Sequence, residues 1–239
     1  MSHKCDTPTR MMVFFLLPLF MTAVYAGTPS YQYTFERLTT QDQLKAIQVP
    51  SSVLPTQNVE YCARHCAEDD KCVSLSYHGD QCTIYRSSLS SSGITVSGSR
   101  SYIKQGALPS EDPCPLSQGY TSVLYPRVCY KLYNTKPWKT WAESQARCQS
   151  DGGRLIILNT REKHDYIAAL MTQTSSEYGA LIGLQTTSST SYAWTDGSTF
   201  VREGSKHPSS FNSGCAYLTE DKVRTTSCSN PGWSLCEVV

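Results

Sequence analysis

The chain has 239 residues and carries 21 Lys and Arg against 20 Asp and Glu, a formal net charge of +1. With no basic run to break that balance, nucleic acid and anionic membrane are excluded as main partners. Eleven cysteines point instead to disulfides formed in an oxidising compartment.

Lys4 and Arg10 precede an apolar run from Met11 to Met21, and Val24-Tyr25-Ala26 comes just before Gly27. A basic start, a short apolar centre and small residues at its end predict a secretory signal peptide over residues 1–26, cleaved after Ala26. The alternative is a signal anchor, but a spanning helix needs about 20 apolar residues, and this run is shorter and interrupted by Pro18. Cleavage removes Lys4, Arg10, Asp6 and Cys5, which leaves 19 basic and 19 acidic side chains and ten cysteines. No later stretch is apolar enough to span. The mature chain is therefore expected to be secreted and extracellular, with no membrane insertion.

The ten cysteines fall as four, Cys62 to Cys82, and six, Cys114 to Cys236. Between the groups lie Ser/Gly-rich sequence from Ser87 to Ser99, a strand-like Ser101-Tyr102-Ile103-Lys104, and turn-rich residues 106–112. Small residues, Pro and Gly mark a domain boundary, so a first domain over 31–105, a linker over 106–112 and a second domain over 113–239 are expected.

In the first domain, Thr56 or Asn58 caps a helix whose inner face is Val59, Cys62, Ala63 and Cys66. Val73, Leu75 and Tyr77 then alternate with Ser74 and Ser76 as a half-buried strand, His78-Gly79-Asp80 turns, and Cys82 to Tyr85 returns as a second strand. Cys-x3-Cys-x5-Cys followed by a hairpin and Cys-x-Ile-Tyr resembles the PAN/apple family. The resemblance implies Cys66–Cys72 nested inside Cys62–Cys82, a helix on a twisted antiparallel sheet, and binding of proteins or glycans without chemistry. Each bridge contributes about 2–4 kcal/mol to a domain too small for a deep core. His65 and His78 have no second ligand at metal spacing and read as surface histidines.

In the second domain, Cys129 to Tyr133 reads as a strand. Pro137 opens a helix carrying Trp138, Trp141, Ala142, Ala146 and Cys148, which Gly152-Gly153 stops. Asn159-x-x-Glu162 starts another helix, burying Tyr166, Ile167, Leu170 and Met171. Ala180 to Leu184 is a buried strand, and Tyr192 to Gly197 a strand running into a turn. These elements, with Cys215, Cys228 and the closing Trp233-Ser234-Leu235-Cys236, resemble a C-type lectin-like domain. The resemblance implies Cys114–Cys129, Cys148–Cys236 and Cys215–Cys228. The whole is then α+β: two disulfide-stapled domains, a helix on an antiparallel sheet and a lectin-like fold of two helices, antiparallel sheets and a long loop.

The family commonly binds sugar through calcium, which needs oxygen-rich ligands. Its Glu-Pro-Asn or Gln-Pro-Asp triplet aligns on His207-Pro208-Ser209, and its Trp-Asn-Asp on Val223-Arg224-Thr225. Asn212-Ser213-Gly214 leave no carboxylate before Cys215. The ligand residues are missing and Arg224 repels a cation, so no cofactor is expected and calcium is predicted absent from the primary lectin site. Asp196, Glu203, Glu220 and Asp221 make no metal motif and read as solvated charges.

His207 reads as a loop histidine, and neither a nucleophile set nor an acid–base pair is present, so no enzyme is expected. Trp138, Trp141, Trp194 and Trp233 occupy positions that the family uses for its core. Candidate contacts with ligand are Phe200, Arg202, Lys206, His207, Phe211 and Arg224, with Phe200 and Phe211 open equally to anchoring the loop. No Asn-x-Ser/Thr sequon occurs. The expected partner is an extracellular glycan or protein, met either by a lectin-like recognition protein of innate immune type or by a matrix or interaction protein using the fold as a scaffold.

Overall fold

The computed structural model describes residues 12–17, 20–25, 32–90, 93–174, 179–188, 191–200, 214–220 and 222–239. Two compact units emerge. The first comprises Met1–Lys45, Pro50–Arg86 and Thr95–Ser110, and the second Ala46–Val49, Ser87–Ile94 and Glu111–Val239.

In the first unit the strands are β1 (Met12–Leu17), β2 (Phe20–Tyr25), β3 (Gln32–Arg37), the short β4 (Leu44–Ala46) and β5 (Ser52–Pro55). After helix α1 (Val59–Glu68) come β6 (Ser74–His78), β7 (Gln81–Tyr85), the short β8 (Gly93–Thr95), of which only Thr95 is counted in this unit, and β9 (Arg100–Lys104). The main sheet runs β1-β2-β3-β9-β6-β7-β5. Its first two strands lie within residues 1–26, the segment read as a leader. Asn58 caps α1 by accepting from the Tyr61 N–H at 2.9 Å, and the buried face is Cys62, Ala63, Cys66 and Ala67. Bridges Cys62–Cys82 and Cys66–Cys72 join that face to the hairpin region. Ser74 and Ser76 are buried like the apolar positions between them: β6 lies inside the sheet, and the Ser76 hydroxyl is 3.2 Å from the Tyr85 hydroxyl. Lys104, 6% exposed, donates to the carbonyls of Cys66 and Asp69 at the end of α1. A cation there satisfies orphan carbonyls and complements the helix dipole.

The second unit continues with β10 (Thr121–Val123), β11 (Val128–Tyr133), α2 (Trp141–Ser150), β12 (Arg154–Leu155) and α3 (Arg161–Gln173). It closes with β13 (Ala180–Ser188), β14 (Ser191–Trp194), β15 (Cys215–Thr219), β16 (Lys222–Thr226) and β17 (Trp233–Val238). The sheet order is β10-β11-β17-β13-β15-β16, with β12 on β17 and β14 on β13. Helix α2 starts later than the Pro137 signal suggests. Thr140 and Glu143 form a capping box, each side chain bonding the other's backbone N–H, and the fixed start turns Trp141, Ser144 and Cys148 inward while Ala142 and Ala146 face out. Helix α3 likewise starts one residue past Asn159, on Thr160, whose hydroxyl accepts from the Lys163 N–H at 3.3 Å. Its buried face joins Ile156, Ile182, Leu184, Leu218 and Leu235 in the main core. Three bridges close the unit: Cys114–Cys129, Cys148–Cys236 and Cys215–Cys228.

Asp112, placed in the linker by composition, is tied into this unit. Its carboxylate accepts from Arg127 at 2.5 Å, the Ser122 hydroxyl at 2.5 Å and the Cys114 N–H at 3.0 Å. Burial pushes its pKa up, but these bonds outweigh that and hold it below the ordinary value. A depressed folded pKa stabilises above the unfolded value, near 4, and the contribution is lost as pH falls through the folded one. Asp112→Asn is expected to cost about 1–2 kcal/mol at neutral pH. The gap between the variant and wild-type melting midpoints should close below about pH 4. A gap that does not change with pH rejects the assignment.

Candidate functional site

Strands β15 and β16 form a hairpin in which Ala216, Leu218 and Val223 turn into the core, 0–2% exposed. The alternate positions, Tyr217, Thr219, Arg224 and Thr226, share the opposite face. Register places Leu181 of β13 beside Tyr217, and Tyr217 beside Arg224, so three strands contribute one row of neighbouring side chains. With Asn230-Pro231-Gly232, which lead into β17, and Gly179 before β13, these line a groove of about 710 Å³. Gly179 has φ +63°, and a Cβ there would meet Tyr217 Cδ2 at 2.6 Å. Only glycine lets the chain pass this close to the tyrosine ring.

Polar groups in the groove are pre-set by their neighbours. Arg224 Nε donates to Thr219 Oγ1 at 3.2 Å, and Asn230 Nδ2 donates to Thr226 Oγ1 at 2.8 Å. Among the described residues no carboxylate forms an ion pair with Arg224. Glu220, in the turn between the strands, has φ +43° and is exposed.

Arg202, Lys206, His207 and Phe211 lie outside the described residues, as do Glu203, Pro208, Ser209 and Asp221. Phe200 is half-buried and packs edge-on against Trp194 at 5.8 Å and Tyr192 at 6.4 Å, so its ring anchors the start of the long loop. Asp196 is exposed, and it accepts from Ser198 N–H and hydroxyl and pairs with Arg154. The Ser198 bonds lead in lowering its pKa. The fold implies a calcium centre at the Val223-Arg224-Thr225 step, and the donors there do not fit one. Val223 is buried hydrocarbon, Arg224 is a cation and Thr225 offers one hydroxyl. Among the described residues no three His, Cys, Asp or Glu side chains converge on a point.

Among the polar and aromatic groove residues, sequence reasoning missed Tyr217, Thr219, Thr226 and Asn230. For Tyr217 and Thr219 the signal was their alternation with Ala216 and Leu218, a period of two that assigns the outer face of β15; Thr226 and Asn230 had no comparable signal.

Residues 34–107 match the PAN domain family and residues 138–238 the lectin C-type domain family, so the chain carries a PAN domain followed by a C-type lectin domain. The alpha chain of snaclec bitiscetin from Bitis arietans is 35% identical over 35% of this chain and 66% of its own length. C-type lectin domain family 9 member A of Rattus norvegicus is 25% identical over 53% and 51%. One chain of the snaclec coagulation factor IX/factor X-binding protein of Gloydius halys is 33% identical over 36% and 57%. The chain thus spans between about half and two thirds of the length of these curated relatives.

Proposed function

We propose that this is a secreted, non-enzymatic recognition protein whose C-type lectin domain binds an extracellular glycan without calcium at the usual site, in the manner of an innate immune receptor. The observation that carries this reading is the donor set at Val223, Arg224 and Thr225, in which no side chain offers a carboxylate or amide oxygen to an ion. Five disulfides suit an oxidising exterior, and among the described residues no helix is long and apolar enough to cross a membrane.

A second reading is a scaffold for protein binding with no sugar. It is favoured by the Gloydius halys relative, whose name describes it as binding coagulation factors.

The test uses the full chain recovered from culture medium, expected to begin at Gly27. Its melting midpoint should be the same with millimolar calcium and with excess chelator, and its glycan-array profile should survive the chelator. A midpoint that rises with calcium, or sugar binding that the chelator abolishes, rejects the calcium-free reading. Silence on the array with capture of a defined extracellular protein selects the second.

A further inference from the structure

The groove on the outer face of β15 and β16 has the features of a saccharide site and a fixed cation in its floor. Its volume of about 710 Å³ lies in the range of small-ligand clefts and holds a short oligosaccharide. Tyr217 offers a flat apolar ring with a polar tip. The Thr219 and Thr226 hydroxyls and the Asn230 amide supply donors and acceptors suited to sugar hydroxyls. Arg224 spends Nε on Thr219, which orients the guanidinium and leaves its two terminal amino groups as a fork. Such a fork matches two oxygens of one anionic group. Lys222 is on the same face, two residues before Arg224, and is exposed; Glu220, which also lines the groove, opposes the two cations.

Resting on the reading of calcium-free glycan recognition, we propose that this groove binds an anionic saccharide, with Arg224 clasping a carboxylate or sulfate and Tyr217 stacking against the sugar ring. Thr219 is a positioning residue, acting through the Arg224 guanidinium. Among the described residues the groove is built from β13, β15 and β16, the turn joining the last two, and the turn into β17.

The experiment is calorimetric titration of the full secreted chain, in excess chelator, with four defined probes: a sialylated trisaccharide, a sulfated disaccharide and the neutral counterpart of each. Binding is expected for an anionic probe and absent for its neutral counterpart. Which anionic probe binds separates carboxylate from sulfate. Arg224→Gln should weaken binding about tenfold or more, the loss of a charge-assisted bond. Thr219→Val should weaken it less. Glu220→Gln should strengthen it roughly threefold, the size of an exposed charge–charge interaction. Arg224 is exposed, so an unchanged melting midpoint confirms that Arg224→Gln still folds. Anionic binding indifferent to Arg224→Gln overturns the groove while the calcium-free reading stands. Equal binding of neutral and anionic probes, or binding of neither anionic probe, overturns the ligand class. Binding restored only when calcium is added back overturns the reading beneath the proposal.

Discussion

Glu237→Ala is expected to cost about 3–5 kcal/mol, the usual consequence of removing one partner from a buried ion pair. The carboxylate follows the last cysteine on β17 and is 2% exposed. One oxygen accepts from Arg154 Nε at 2.9 Å and from the Ile157 N–H at 3.2 Å; the other accepts from Lys163 Nζ. Three separate pieces of chain, β12, the segment after it and the first turn of α3, are thereby fixed to the last strand. Truncation leaves a backbone donor and two cations without their acceptor in a place water reaches poorly, and Lys163 is only 12% exposed. Arg154 still has Asp196 at 3.6 Å, so the loss should fall chiefly on Lys163 and Ile157. For a unit of this size the penalty corresponds to a fall of roughly 10 °C in melting midpoint. Glu237→Gln, which keeps the shape and one acceptor, should fall between wild type and Ala. The matched control is Glu143→Ala in the exposed capping box of α2, expected to cost far less than the change at Glu237. Equal losses at the two positions would show that burial of the Glu237 cluster adds nothing.

Hydrophobic period located the helices and strands, and the family resemblances carried by the cysteine spacing and closing motifs supplied both folds and the pairing of the cysteines. Helix starts were less legible. Pro137 and Asn159 are acceptable openers, but the hydroxyls of Thr140 and Thr160 satisfy an orphan N–H three residues on, and the side chain that makes that bond fixes the phase. The Ser/Gly-rich stretch from Ser87 reads in sequence only as part of a domain boundary. Within it Ser87, Ser88 and Leu89 are buried, and Ser88 donates its N–H to the Ser122 carbonyl while its hydroxyl accepts from the Ser122 N–H. Gln48, 1% exposed, likewise donates to the Ser90 and Thr121 hydroxyls within the second unit. Small hydroxyl side chains pack as readily as they solvate, so their buried use leaves no periodic trace. For the site, the missing calcium donors were visible residue by residue. The groove was not, because it depends on strand register aligning Leu181, Tyr217 and Arg224.

Replacing both Cys148 and Cys236 by Ala is expected to cost the most of any change in the lectin unit. The bridge joins α2 to β17 across 88 residues of sequence. In the chain-entropy account, opening a loop that long releases about 4–5 kcal/mol of unfolded-state freedom, against about 3 kcal/mol for a loop of the 13 residues spanned by Cys215–Cys228. Cys148 and Cys236 are fully buried, so the paired alanines also leave a void whose lining loses contacts. A domain with an ordinary margin of about 5–15 kcal/mol would keep little of it. Two contacts hold α2 on the sheet without the bridge: Trp141 Nε1 donates to the Ile182 carbonyl at 2.9 Å, and the Ser234 hydroxyl donates to Ser144 at 2.7 Å. The variant should therefore fold at low temperature and lose its structure well below the wild-type midpoint, while the Cys215/Cys228 double variant is affected less. Denaturant titration of both variants measures the order directly. If the short-loop variant is the less stable, loop length does not govern these bridges, and the local packing around Cys215 sets the stability of the groove-bearing hairpin.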